Sequence, residues 1–301
     1  MKYVSFRSDT GPGVGVVLGE HVFPLPYGYA VSSDGAPLGL LELIQRGTPT
    51  SVPCSTTAIP LSDVQLLPPI PRPARNIICV GQNYHQHSLE FDASGYNSTP
   101  GNGVPDRPVV FTKAPSSVIG PDDVIPVHSD LTVELDYEGE LGVIIGRGGR
   151  NIPADEALEH VWGYTIVNDV TARDVQRDHR QWFLGKSMDG FCPMGPWAVT
   201  ADEVDVADLL IETRVNGELR QSAKTTDLIF DVPTLIATIS AGMTLQPGDV
   251  IATGTPAGVG IGFDPPRFLR AGDTVEVSIT GLGTLTNTVG EPGTIDPEET
   301  V

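Results

Sequence analysis

Apolar and polar positions alternate with a period of two along much of this chain, and few stretches carry the three-to-four spacing of a helix. KYVSFR, VGVVL and HVFPL, near the start, read as short strands separated by Gly-rich turns. LGLLELIQR (38–46) has helical apolar spacing. Residues 1–68 therefore read as a small N-terminal α/β domain. The Pro-rich run PPIPRPAR (68–75) reads as a stiff extended connector, which places a domain boundary at 69–75. Beyond it NIICVG (76–81) is predicted as a buried strand and NYHQHSLEF (83–91) as a short helix. The stretch 93–107, rich in Gly, Ser, Asn and Pro, is expected to be a functional or mobile loop.

From Val109 onward strands dominate. LIETRVNGELRQ (210–221) carries Asn216-Gly217 between alternating flanks, a hairpin signal. DVPTLIATISAG (231–242) reads as a helix with Asp231 as N-cap, Pro233 in the first turn and Gly242 as its stop. LQPGDVIATG (245–254) and AGDTVEVSITGLGTLTN (271–287) are turn-then-strand units. Residues 76–290 form the predicted main domain, and 291–301 an acidic flexible tail. The pattern makes the chain α+β.

Composition narrows the functions open to such a fold. The chain has 34 Gly and 27 Pro, which suits a turn-rich β protein. It carries 18 Lys+Arg against 38 Asp+Glu, a formal charge of −20, which argues against binding nucleic acid or an anionic membrane surface. Cys54, Cys79 and Cys192 are isolated and read as small buried residues in a reducing compartment. The opening MKYVSFRSDTGPGVG lacks the apolar core of a secretory peptide, and no apolar run approaches the roughly 18 residues of a membrane span. The expectation is a cytoplasmic protein.

Five segments carry candidate chemistry. In ELDYEGELGVIIG (134–146), read as one strand, Glu134, Asp136, Glu138 and Glu140 share a face. Such a row calls for a hard divalent cation or is a solvated acidic face; both readings stand on the residues alone. In YTIVNDVTARDVQRD (164–178) a strand ends at Asn168-Asp169 and a helix is expected to start there, so Asp169 is an N-cap or a third carboxylate ligand. Lys186, in WFLGKSMDGFCPMGP (182–196), is one of four lysines beside fourteen arginines, an ammonium aimed at a partner or a surface charge. ATGTPAGVG (252–260) runs a strand into a Gly-rich loop that can present N–H groups and the Thr255 hydroxyl to an anion. In NYHQHSLE (83–90), His87 and Glu90 at i and i+3 share a helix face, a general-base pair or a surface contact.

Together these segments resemble the fumarylacetoacetate hydrolase family from Asn76 to Asn287, through GQNYHQH, the ExE of YEGELG, VNDVTARDVQ, GKSMDGFCPMGP, VNGELRQ and GTPAGVG. The resemblance implies a mixed β-sandwich roll with a small N-terminal α/β lobe, assembled as a homodimer. It implies Mg²⁺ or Mn²⁺ held by Glu138, Glu140 and Asp169. It implies Lys186 at the substrate or developing oxyanion, and His87 with Glu90 as a water-activating dyad on a lid. Tyr84, Arg173, Gln176, Asp189, Gly254 and Thr255 become expected substrate-binding residues. Gln82 stands where acylpyruvate-cleaving members often have Arg, and Gly190 where many have Thr. The branch resembled is bacterial, acylpyruvase- or oxaloacetate-decarboxylase-like.

The expected activity is metal-dependent C–C bond hydrolysis of a 2,4-diketo acid of the acylpyruvate or fumarylpyruvate type, or decarboxylation of oxaloacetate, through a metal-stabilised enolate. The partner is a small anionic 2-oxo acid. The alternatives are an isomerase, tautomerase or hydratase of a related 2-oxo acid, and a non-catalytic binding protein with a vestigial metal site.

Overall fold

The computed structural model describes residues 1–25, 39–47, 57–96 and 103–290. Cys54, the stretch 97–102 of the predicted loop and the predicted tail 291–301 lie outside the described residues. Strands dominate, as the period-two pattern requires. The longest helices span nine residues, His85–Ala93 and Val232–Ser240. No helix among the described residues is long and apolar enough to cross a membrane.

One twelve-stranded mixed sheet runs through the protein. Its main path is Ile59–Pro60, His21–Pro24, Gly11–Leu18, Lys2–Ser8, Cys192–Thr200, Val161–Asn168, Gly139–Ile145, Val250–Ala252, Ile77–Gly81 and Val109–Lys113. A five-stranded sheet (Glu218–Lys224, Leu210–Val215, Thr274–Ile279, Gly283–Gly290, Val124–Pro126) packs against its central strands. The central strand Gly139–Ile145 is buried along its whole length. Leu141, Val143 and Ile145 enter the core shared with the smaller sheet, whereas Ile144 enters the opposite core with Tyr3, Val167 and Met194. Cover on both faces explains the unbroken apolar run LGVIIG.

The N-terminal segment is not a separate sheet. Lys2 and Tyr3 pair antiparallel with Val199 and Ala198 of the main sheet. The Pro-rich run is packed rather than free: Ile70 is fully buried, and the Pro69 carbonyl accepts hydrogen bonds from Ser5 Oγ (2.8 Å) and Leu40 N (2.9 Å). Proline density reads as a linker because it stiffens the chain, but it says nothing of whether the neighbouring strands find partners across it.

Local signals elsewhere match the structure. Asn216 and Gly217 adopt φ of 52° and 78°, as a two-residue hairpin turn demands. Asp231 caps its helix by accepting from Thr234 N at 2.9 Å. The helix predicted over 38–46 is found at Leu41–Arg46 and that over 83–91 at His85–Ala93.

Because Lys2–Ser8 completes the main sheet, a chain beginning at residue 69 exposes the edge of Cys192–Thr200 and the core around Tyr3. It is expected to lose cooperative thermal unfolding, measured by circular dichroism. A cooperative melt near that of the full chain contradicts this.

Candidate metal centre and active site

Sheet register brings the acids together. Gly139 pairs with Asn168 and Glu140 with Val167, so Asp169, one step past the strand end, meets Glu138; its N–H donates to the Glu138 carbonyl at 2.8 Å. The segment expected to be one strand is broken. Leu135–Asp136 pairs with Thr171–Ala172 in a separate ladder, and the main-sheet strand begins at Gly139. At the break side chains take over the ladder: Tyr137 N–H donates to Asp136 Oδ1 (2.9 Å) and Glu138 N–H to Asn168 Oδ1 (3.0 Å). The expected helix start at Asn168-Asp169 moves to Arg173, with Ala172 at the N-cap position, so Asp169 is not a cap.

Glu138, Glu140 and Asp169 are all buried, with one carboxylate oxygen of each within 4.8 Å of the others. The solvated-face reading is therefore excluded for these three. The four-acid row of the sequence also divides. Glu134 is half-buried and turns away to Tyr96 Oη, which donates to it at 2.8 Å, and to Arg177. Asp136 is occupied by Arg173, whose Nε donates to Oδ2 at 2.9 Å.

Three buried cations face four buried acids. Lys186 Nζ lies 2.7 Å from both Glu138 Oε2 and Asp169 Oδ2, so it is no surface charge. Lys113 Nζ holds the other Asp169 oxygen at 2.6 Å. Arg173 Nη2 lies 2.6 Å from Glu138 Oε1, a close ion pair whose angle is poor for a hydrogen bond. Glu140 accepts a hydrogen bond from Gly254 N–H (2.8 Å) and, among the described residues, has no basic side chain in ion-pair contact. Counting Asp136, one negative charge is left over.

The ionisation of the acids follows this layout. Burial alone raises Glu138, but Lys186, Arg173 and His87 outweigh it and bring the carboxyl down to about 2. Burial, with Asp169 and Glu138 beside it, pushes Glu140 well above the usual carboxylate range. Burial also lowers Lys186, yet Asp169 and Glu138 more than reverse it, so the ammonium is retained. Three buried carboxylates with an excess of negative charge form a hard oxygen donor set of the kind that fits Mg²⁺ or Mn²⁺.

Glu138 and Glu140 line a cavity of about 280 Å³, counting its open mouth; Asp169 is not on its wall and meets it through Lys186, 2.7 Å away. Its polar wall carries Glu138, Glu140, Arg173, Gln176, Lys186 and Thr255; Val80, Phe91, Phe111 and Trp182 form the apolar wall; Gln82 and His87 complete it. Asn83 sets the entry to the His87 helix: its side chain donates to the carbonyls of Thr253 (2.7 Å) and Phe230 (3.0 Å) and accepts from Phe230 N. His87 is buried, with Nδ1 3.1 Å from Glu90 Oε2. Glu90 in turn accepts from Gly258 N–H at 2.9 Å. A Cβ at Gly262 would overlap the Glu90 carboxylate, so any side chain there would push Glu90 out of this position. With Nδ1–H donating to Glu90, Nε2 keeps its lone pair.

Of the other residues expected at the site, Thr255 reaches the cavity, but its hydroxyl already donates to the Gly139 carbonyl (3.0 Å) and accepts from Gln221 Nε2 (2.7 Å). Gly254 commits its N–H to Glu140. Tyr84 is buried and does not line the cavity. Asp189 is exposed and also away from it; its carbonyl accepts from His128 Nε2 at 3.0 Å. Burial pushes the thiols of Cys79 and Cys192 up, the latter to about 12, in keeping with inert buried cysteines. Sequence reading missed Lys113 and Gln221. The scarcity of lysine was the one available signal for Lys113.

Raised in the native state, the Glu140 carboxyl favours folding fully below its ordinary value of 4.5. That contribution is lost as pH rises through the raised native value. Glu138 behaves oppositely: its contribution is present above 4.5 and lost as pH falls toward about 2. A cation must displace the Glu140 proton, so its apparent affinity is expected to rise by up to about tenfold per pH unit until Glu140 is ionised. The gain in melting temperature on adding Mn²⁺ therefore grows from about pH 5 to about pH 8. A gain independent of pH contradicts this.

Comparison with known proteins agrees with the site. Residues 76–290 match the family described as fumarylacetoacetate (FAA) hydrolase, C-terminal. The chain is 52% identical over 231 residues to the oxaloacetate tautomerase YisK of Bacillus subtilis, covering 76% of this chain and 74% of that protein. Its structure resembles the fumarylacetoacetate hydrolase of psychrophilic Exiguobacterium antarcticum, at 49% identity and a TM-score of 0.82, covering 97% of this chain and 99% of that one. It also resembles a 2-hydroxyhepta-2,4-diene-1,7-dioate isomerase from Mycobacterium marinum, at 36% identity and a TM-score of 0.73 over the same shares. With most of its length matched and its buried carboxylate triad in place, the chain belongs to the fumarylacetoacetate hydrolase family of enzymes.

Proposed function

We propose that the protein interconverts the keto and enol forms of a small 2-oxo dicarboxylic acid of the oxaloacetate type. The observation that carries this reading is one small cavity lined both by Glu138 and Glu140 of the buried carboxylate triad and by a histidine fixed by a carboxylate. The 52% identity to an oxaloacetate tautomerase favours it over the bond-cleaving reactions expected first from sequence.

A carbon between a ketone and a carboxylate is acidic, so a positioned base suffices for the chemistry. His87 Nε2 takes the proton from that carbon and returns it to the opposite tautomer's oxygen or carbon. Glu90 holds the ring and stabilises the imidazolium. Lys186 and Arg173, both buried cations on the cavity wall, oppose the negative charge that develops on the substrate oxygen. A divalent cation held by Glu138, Glu140 and Asp169 would supply Lewis-acid polarisation of the keto group. The apolar wall of Phe91, Phe111 and Trp182 limits water near the reacting carbon.

A second reading keeps the same residues for hydrolysis of a 2,4-diketo acid, with His87 taking its proton from water. The His87–Glu90 pair serves it equally, because an imidazole fixed by a carboxylate can take its proton from water as well as from carbon. Decarboxylation of oxaloacetate shares the same cavity.

Products separate the readings. With Mg²⁺ or Mn²⁺ present, enol-oxaloacetate absorbance is expected to relax faster with enzyme while no extra pyruvate appears. Enzyme-dependent pyruvate from oxaloacetate, or from an acylpyruvate, would instead establish cleavage. His87→Ala is expected to lower turnover by roughly 10²–10⁴-fold with Mn²⁺ affinity unchanged; full activity in that variant removes His87 from the mechanism.

A further inference from the structure

We propose that Asp136 is a positioning residue that couples the two halves of the site, the carboxylate triad and the His87 helix. The inference rests on the reading of the site given above. Asp136 is fully buried and does not line the cavity, so any effect it has on the site passes through other residues.

Its two oxygens are shared among three parts of the fold. Oδ2 accepts from Arg173 Nε at 2.9 Å and from Ile261 N–H at 3.2 Å. Oδ1 accepts from Gly260 N–H at 2.7 Å and from Tyr137 N–H at 2.9 Å. Every one of its four partners is a donor, an arrangement that a carboxylate satisfies and a protonated carboxyl does not.

On one side, Asp136 holds the Nε edge of Arg173, and the opposite edge of that guanidinium lies 2.6 Å from Glu138. Arg173 thus holds a buried positive charge against one oxygen of Glu138, while Lys186 holds the other at 2.7 Å, and a shift of the guanidinium would be felt by the triad. On the other side, Asp136 ties down Gly260 and Ile261. The same loop supplies the Gly258 N–H that holds Glu90, and its Val259 and Ile261 pack on Phe91 of the His87 helix. A Cβ at Gly260 would sit 2.6 Å both from Asp136 Oδ1 and from the Arg267 carbonyl oxygen, so the loop backbone is held close against both.

Asp136→Asn tests the coupling in the full-length chain without substrate, so its outcome does not depend on which reaction is catalysed. The isosteric amide keeps volume but removes charge and places an N–H where only donors approach. Two readouts are expected to move together: Mn²⁺ affinity by calorimetry falls roughly 10–100-fold, and amide hydrogen exchange across residues 85–93 accelerates. A merely structural carboxylate would lower the melting temperature and leave both unchanged; that result, or movement of only one readout, overturns the coupling. Should Asp136→Asn fail to fold, Asp136→Glu keeps the charge but displaces the carboxylate by one methylene from Arg173 and Gly260 and is expected to produce both changes. If the unaltered protein binds no Mn²⁺, the metal reading fails separately, and exchange over 85–93 still decides whether Asp136 holds the helix.

Discussion

Burying four carboxylates in one place is the constraint on which the rest of this structure depends. Asp136, Glu138, Glu140 and Asp169 lie out of water, where an unpaired charge costs several kcal/mol. Arg173, Lys113 and Lys186 answer three of them. Among the described residues Glu140 has a backbone N–H and no cationic partner in ion-pair contact, and burial beside Asp169 and Glu138 raises its pKa. The site is thus well paired except at one corner, which is where a divalent cation has most to contribute. Loaded with such a cation the cluster changes from net negative to net positive. A protein of charge −20 would gain in that way a local attraction for the anionic substrate proposed above.

The fold supplies this cluster by register rather than by a single motif. Glu138 and Glu140 stand at the start of the central strand, and pairing of Gly139 with Asn168 sets Asp169 beside them. Loops after the two parallel neighbours, Ile77–Gly81 and Val250–Ala252, carry the rest: the His87 helix follows one and the Gly254–Gly262 loop the other. Asn83 and Glu90 stitch those two loops together at both ends of the helix. The base therefore approaches the acids on a platform already tied to the sheet.

Much of this was legible in the chain. The two-residue spacing of Glu138 and Glu140 needs only strand geometry, and His87 with Glu90 needs only one helical turn. Asn216-Gly217 and Asp231 are local signals, and local physics decides them. What was not legible depends on partners far away in sequence. Lys113 meets Asp169 across 56 residues, and Gln221 reaches Thr255 across 34. Nothing in the neighbourhood of either residue announces the contact. The uninterrupted alternation of 134–146 concealed a break, because side-chain acceptors on Asp136 and Asn168 replace the ladder where the strand changes sheets. The Pro-rich run 68–75 was legible as a stiff connector, but not that Ile70 and Pro69 pack it against the core, since those contacts are made by residues distant in sequence.

Membership of the fumarylacetoacetate hydrolase family and the geometry of the site support a divalent-cation-dependent activity of that family, and the carboxylate left without a cationic partner among the described residues is the centre of that account. Glu140→Gln removes the surplus charge while keeping shape. The account predicts that the variant, without metal, melts no lower than the unaltered protein at about pH 8, and that calorimetry finds no stoichiometric Mn²⁺ binding. Mn²⁺ bound by the variant as tightly as by the unaltered protein would contradict it.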